Sequence, residues 1–202
     1  MNSRRCEGQI GLALGPSAAG IRLTVDEFDE AQFEPGWRDE LIEGVLVVSP
    51  SALPPERSSN QLLGHWLLAY REHHPQGTAL DDTLPEHDIH LANSRRRADR
   101  VIWAGLGWQP RIDETPSIAV EFVSEGKRNV LRDYTKKRDE YRALGIREYW
   151  VINRFDRTMT VYKLDGTVII ARENDVYGTS LLPGFQLSLF PLLAAADRWA
   201  TS

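Results

Sequence analysis

Apolar residues at Leu62, Leu63, Trp66, Leu67 and Tyr70 recur at helical spacing and predict an amphipathic helix over residues 58 to about 73. A second stripe of Val130, Tyr134, Lys137, Tyr141 and Leu144 keeps one helical face, with spacings of four, three, four and three. Elsewhere the period is two or the runs are short and β-rich. They predict strands at 40–49, 84–91, 98–104, 117–123, 148–153, 158–164 and 167–172, the last two joined by an Asp165-Gly166 turn. Thr24 and Glu27 have capping-box spacing and start a short helix through about Ala31, Pro54-Pro55 closes the loop behind the first strand, and residues 191–199 form a short terminal helix. Residues 1–20 show no periodicity and read as a flexible tail, which leaves 21–202 as a single domain. Strands, a covering helix, more strands and a second helix predict an α/β fold, a mixed β-sheet flanked by helices.

One position breaks the second stripe. Lys137 puts an ammonium where its neighbours are apolar, whereas Lys136, Arg138 and Asp139 fall on other faces. An unpartnered buried ammonium is costly, so either the side chain snorkels from the stripe's edge or a carboxylate faces it. Two upstream strands each carry one isolated acid, Asp99 and Glu121. In the latter strand Ile118, Val120 and Phe122 alternate onto one face, leaving Glu121 on the other with Ala119 and Val123. Singly, Asp99 reads as a turn former at a strand start and Glu121 as a buried acid paired with an arginine. Together, two carboxylates under one lysine make a hard-oxygen site suited to Mg2+ or Mn2+.

Charge and cysteine content narrow the classes. Net charge is −5, which excludes indiscriminate coating of nucleic acid and confines any such affinity to local clusters. One cluster surrounds Asp99 with Arg95, Arg96, Arg97 and Arg100. Another runs from Lys127 and Arg128 through Arg132, Lys136, Lys137 and Arg138 to Arg142. Each reads as a solvated surface by default, and adjacency to the acids makes Arg96, Arg97, Arg100, Lys127 and Arg128 the candidate phosphate contacts. A lone Cys6 cannot form an intramolecular bridge and fits a reducing cytoplasm, and no apolar run reaches membrane-spanning length. His87 and His90 lie three apart within a strand and point to opposite faces, which argues against a shared zinc.

At these residues the chain resembles the PD-(D/E)XK nuclease superfamily, and within it the Uma family of restriction-endonuclease-like proteins. The resemblance runs from about Thr24 to Leu189. It rests on Asp39-Glu-Leu-Ile-Glu-Gly-Val-Leu46, Val48-Ser-Pro50, the Asp99 strand, Val120-Glu-Phe-Val-Ser124, Arg132-Asp-Tyr-Thr-Lys-Lys-Arg-Asp-Glu-Tyr141 and Leu144-Gly-Ile-Arg-Glu-Tyr-Trp-Val151. It implies a restriction-endonuclease-like core in which Asp99 and Glu121 hold the metal. Ala98 stands where the family has proline. Val123 stands where the wider superfamily has its lysine, whose role the resemblance gives to Lys137, four residues before Tyr141. Glu40 matches a further acid that joins the site as ligand or positioning group. The family's histidine after the Ser-Pro segment is absent.

The function so implied is hydrolysis of DNA phosphodiester bonds by a Mg2+-dependent or Mn2+-dependent endonuclease, with a homodimer expected by analogy with enzymes that cut both strands. The alternative is a non-catalytic protein of the same fold that binds nucleic acid or a protein partner.

Overall fold

The computed structural model of the chain describes residues 13–124 and 130–199. These fall in two compact units, Met1–Ser51 with Ala92–Arg95, and Ala52–Leu91 with Arg96–Ser202.

In the first unit, helix α1 (Val25–Asp29) opens with the expected capping box. Thr24 Oγ1 accepts from Glu27 N at 3.2 Å, and Thr24 N donates back to Glu27 Oε2 at 2.8 Å. The strand expected at 40–49 is instead an antiparallel hairpin of β1 (Trp37–Ile42) and β2 (Val45–Pro50). Its two-residue turn, Glu43-Gly44, has φ of 51° and 75°, the left-handed pair that lets two twisted strands reverse. Leu41 pairs with Arg95, and Phe28, Leu41 and Leu46 form a small core. Of the segment expected as a tail, the described part bridges Leu14 to Phe33, makes a 3-10 turn at Pro16–Ala18, and donates from Gly20 N to Leu46 O.

The second unit carries the larger sheet. Strand β4 (Ser94–Ala104) pairs with β3 (Leu80–Leu91) and, antiparallel, with β5 (Ile118–Phe122). Strand β5 pairs parallel with β6 (Glu148–Asn153), and β7 (Thr158–Lys163) and β8 (Val168–Arg172) continue as an antiparallel meander. Helix α3 (Val130–Leu144) supplies the crossover that a parallel β5–β6 pair requires. A two-stranded sheet joins β9 (Val176–Tyr177) to β10 (Leu187–Ser188), and α4 (Leu189–Asp197) follows. The sheet is therefore mixed and flanked by helices, as the pattern predicts.

Helix α2 (Pro54–His73) starts four residues earlier than its apolar stripe suggests, because Pro54 and Pro55 occupy the first turn. A proline costs nothing there, since the amide it lacks is one the helix leaves unpaired. Leu63, Leu67 and Tyr70 of α2, with Leu189, Leu192 and Leu193 of α4, pack on Ile118, Val120, Phe122 and Trp150. On the opposite sheet face, Tyr141 and Ile146 pack on Val101, Trp103, Ala119, Tyr149 and Val151. Both faces being covered, β5 is buried along its whole length, and any charge on it must find its partner within the protein. No described helix is long and apolar enough to cross a membrane.

Candidate active site

Glu121 and Lys137 answer each other. Glu121 sits on β5 opposite Val151 of β6, on the face that α3 covers, and Lys137 descends from α3 so that its Nζ donates to Glu121 Oε1 at 2.8 Å. The residues are 3% and 2% exposed. The same ammonium lies 3.4 Å from the carbonyl of Arg97. One turn along α3, Tyr141 is buried with its ring edge-on to Tyr149 at 5.2 Å, which holds the helix close to the sheet. The lysine in the stripe is thus the buried member of an ion pair, and the snorkelling alternative is set aside. Two desolvated charges are tolerable only with contact this short.

Asp99 joins them through the sheet. The β4–β5 register pairs Arg100 with Val120, and continuing it by one residue sets Asp99 opposite Glu121. Asp99 Oδ2 accepts from Phe122 N at 2.6 Å, a side chain taking a backbone amide where the ladder ends. Helix α2 fixes the main chain at this point. Asn60 Nδ2 donates to Asp99 O at 2.7 Å, and Asn60 Oδ1 accepts from Arg100 Nε at 2.7 Å. Arg100 also donates to Thr83 Oγ1 and Asn60 O, and burial lowers its pKa to about 10. Gly64 makes the room, since a Cβ there would stand 2.5 Å from Arg100 Nη2.

These placements revise the expected phosphate contacts. Arg96 is fully buried and donates from Nε to Glu140 Oε2 of α3 at 2.7 Å, and Arg100 is committed to α2 and β3. Both guanidiniums turn inward and lock elements together, so neither matches a contact to phosphate. Arg97 forms a two-point pair with Asp88, at 2.7 and 3.1 Å, and is a quarter exposed. Lys127 and Arg128 lie outside the described residues. Glu40 is buried on β1 of the first unit, opposite Val47.

A further acid escaped the sequence reading. Glu56, in the first turn of α2, is 3% exposed, and its carboxyl oxygens make no hydrogen bond; Arg154 Nε lies 3.8 Å away. Burial raises its pKa, and the negative charge of Asp99 adds to the rise. An acid in a helix's first turn looks like an ordinary complement to the dipole, and only packing reveals its burial. Glu148, by contrast, is fully satisfied by Trp150, Tyr177 and Thr179.

Among the described residues no group of three or more His, Cys, Asp or Glu side chains is placed to hold a metal ion. Two opposed carboxylates remain. That donor set suits Mg2+, which takes one or two carboxylates and fills its other positions with water and substrate oxygens.

The family model Uma2, described as "Putative restriction endonuclease", matches residues 25–190. The chain belongs to the Uma2 family. A crystal structure of a putative nuclease belonging to DUF820 from Anabaena variabilis has the same fold, with a TM-score of 0.67 at 14% identity, covering 86% of this chain and 99% of that one. No curated protein matches the chain. Membership of Uma2 makes the α/β core with its mixed sheet that of a nuclease-like protein.

Proposed function

We propose that this Uma2 protein is a metal-dependent endonuclease that hydrolyses phosphodiester bonds of DNA. The observation that carries the reading is the buried Lys137–Glu121 pair, in a register that sets Asp99 opposite Glu121. Asp99 and Glu121 would hold Mg2+ or Mn2+. When bound, the ion supplies Lewis-acid polarisation of a phosphate oxygen and acidifies a water. The chain's own residues do the rest. Phe122 N fixes the rotamer of Asp99, and Asn60 fixes its backbone, so the carboxylate meets its ligand without reorganisation. Lys137, anchored on Glu121, orients the attacking water and offsets charge growing on the phosphorus oxygens. Because cutting both strands calls for two such sites, the working form is a homodimer in the cytoplasm.

Near-complete burial of Asp99, Glu121 and Lys137 supports a second reading, a nuclease-fold protein that binds without cutting. Incubation with supercoiled, linear and single-stranded DNA, with and without Mn2+ or Mg2+, separates the two. Metal-dependent cleavage establishes the nuclease. Binding without cleavage under every condition establishes the rival.

A further inference from the structure

The large sheet ends at β8, and its outer edge is open. Strand β8 pairs with β7 on one side, and among the described residues no strand pairs with it on the other. Lys163 N donates to Thr167 O, so the alternate residues that follow, Ile169 and Ala171, turn their amides and carbonyls toward β7. Val168, Ile170 and Arg172 turn theirs outward. The next turn closes one of the three, since Arg172 N donates to Asp175 Oδ2 and Asp175 N donates to Arg172 O, both at 2.8 Å. Within the strand, open N–H and C=O groups are thereby confined to Val168 and Ile170, one on each side of Ile169.

The side chains favour pairing there. Val168 and Ile170 share one face and are 54% and 61% exposed, an apolar pair on an edge strand that has neither proline nor lysine nor bulge to discourage a partner. The pattern is also its own complement. A half-turn about Ile169 lays a second β8 antiparallel to the first, with Val168 opposite Ile170 of the copy. Each such pair exchanges two backbone hydrogen bonds, which uses every open group of both strands, and the exposed apolar pairs merge into one patch. The same rotation brings Arg172, exposed at the end of the strand, against the Asp165-Gly166 turn of the copy. Gly166 has no side chain to stand between them, and Glu173 is already paired with Arg157, so a cation meets an acid at both ends of the paired strands. An unrelated strand would satisfy the hydrogen bonds but not this arrangement of apolar and charged groups, which singles out a second copy of the chain.

We infer that β8 is an interface between two copies of this chain, which pair edge to edge about a two-fold axis at Ile169 and join their large sheets into one. Such an interface is isologous, so it closes at two and does not propagate. The paired strip is short, and a small interface gives a weak dimer that forms as concentration rises. Naming the surface goes beyond the homodimer of the proposed function, and it rests on the strand edge alone, whether or not the chain cuts DNA.

Sedimentation velocity of the full chain over a concentration series up to about 1 mM, together with hydrogen exchange read at single amides, tests it. A monomer–dimer equilibrium is expected, with the Val168 and Ile170 amides gaining protection as the dimer fills. Ile170→Lys, at an exposed position, should weaken association by about tenfold or more, because a charge replaces half of the apolar pair. Val168→Lys repeats the test should the first variant misfold. Arg172→Glu should also weaken association, and Arg172→Glu/Asp165→Lys should restore it, a rescue that a second copy in this register provides. Asp99→Ala should dimerise as wild type does, so failure of the nuclease reading leaves this result standing. A chain that stays monomeric to about 1 mM overturns the inference, even if it captures a foreign strand. So does a dimer indifferent to Ile170→Lys, or one whose Val168 and Ile170 amides exchange as fast as in the monomer.

Discussion

Replacing Lys137 by methionine isolates the energetics of the site. The side chain keeps its length, so packing changes little, but Glu121, a carboxylate only 3% exposed, loses the Lys137 ammonium. At the observed 2.8 Å the attraction is about 6 kcal/mol for an effective dielectric of about 20. Desolvation of both charges cancels much of that when the pair forms. Removing one partner returns none of the penalty on the other, so the loss should be about 3–5 kcal/mol. Urea unfolding at neutral pH, read by tryptophan fluorescence, measures it as a drop in midpoint at constant slope. The double variant Lys137→Met/Glu121→Met removes both charges and should recover to wild-type stability or exceed it by about 1–4 kcal/mol. A single-variant loss below about 1 kcal/mol, or a double variant as unstable as the single, would refute the buried pair.

Other consequences follow from neighbouring groups. Mg2+ at a hundred times its dissociation constant should stabilise the wild type by about 2.7 kcal/mol and Asp99→Ala by none, seen as a shift in thermal midpoint; equal shifts in both would remove Asp99 from the metal site. The raised pKa of Glu56 means that the folded state holds its proton to higher pH than the unfolded state does. Its contribution is full below the unfolded value and is lost as pH rises through the interval up to the folded one, so Glu56→Gln should flatten the fall in stability above the ordinary carboxylate range, and an unchanged pH profile in thermal melts would contradict this. Gly64→Ala forces a methyl to 2.5 Å from Arg100 Nη2 and should cost about 1–3 kcal/mol, whereas a neutral effect in urea unfolding would show that Arg100 is not held there.

The buried Lys137–Glu121 pair is more legible in the sequence than the interior around it. Lys137 and Glu121 were visible because a charge in an apolar pattern violates the period that carries it, and each violation proved to explain the other. Arg96 and Arg100 misled for the opposite reason. A run of arginines resembles a solvated patch whether its acids are near or far in sequence, and Glu140 lies 44 residues from Arg96. The Glu43-Gly44 reversal was hidden because a non-glycine residue occupies its left-handed first position, so alternation ran on as though through one strand. Glu56 could not be found at all from its surroundings in sequence, since only the packing of α2 desolvates it.

The most direct measurement is nicking of supercoiled DNA by wild type and by Asp99→Asn, each with Mg2+ and with chelator. The substitution keeps an oxygen for Phe122 N to bond but removes the negative charge that would hold a cation. Nicking by the wild type in Mg2+ alone, with none by a folded Asp99→Asn, is predicted. Equal nicking by both proteins, or nicking that persists in chelator, would contradict a metal-dependent site at Asp99, Glu121 and Lys137.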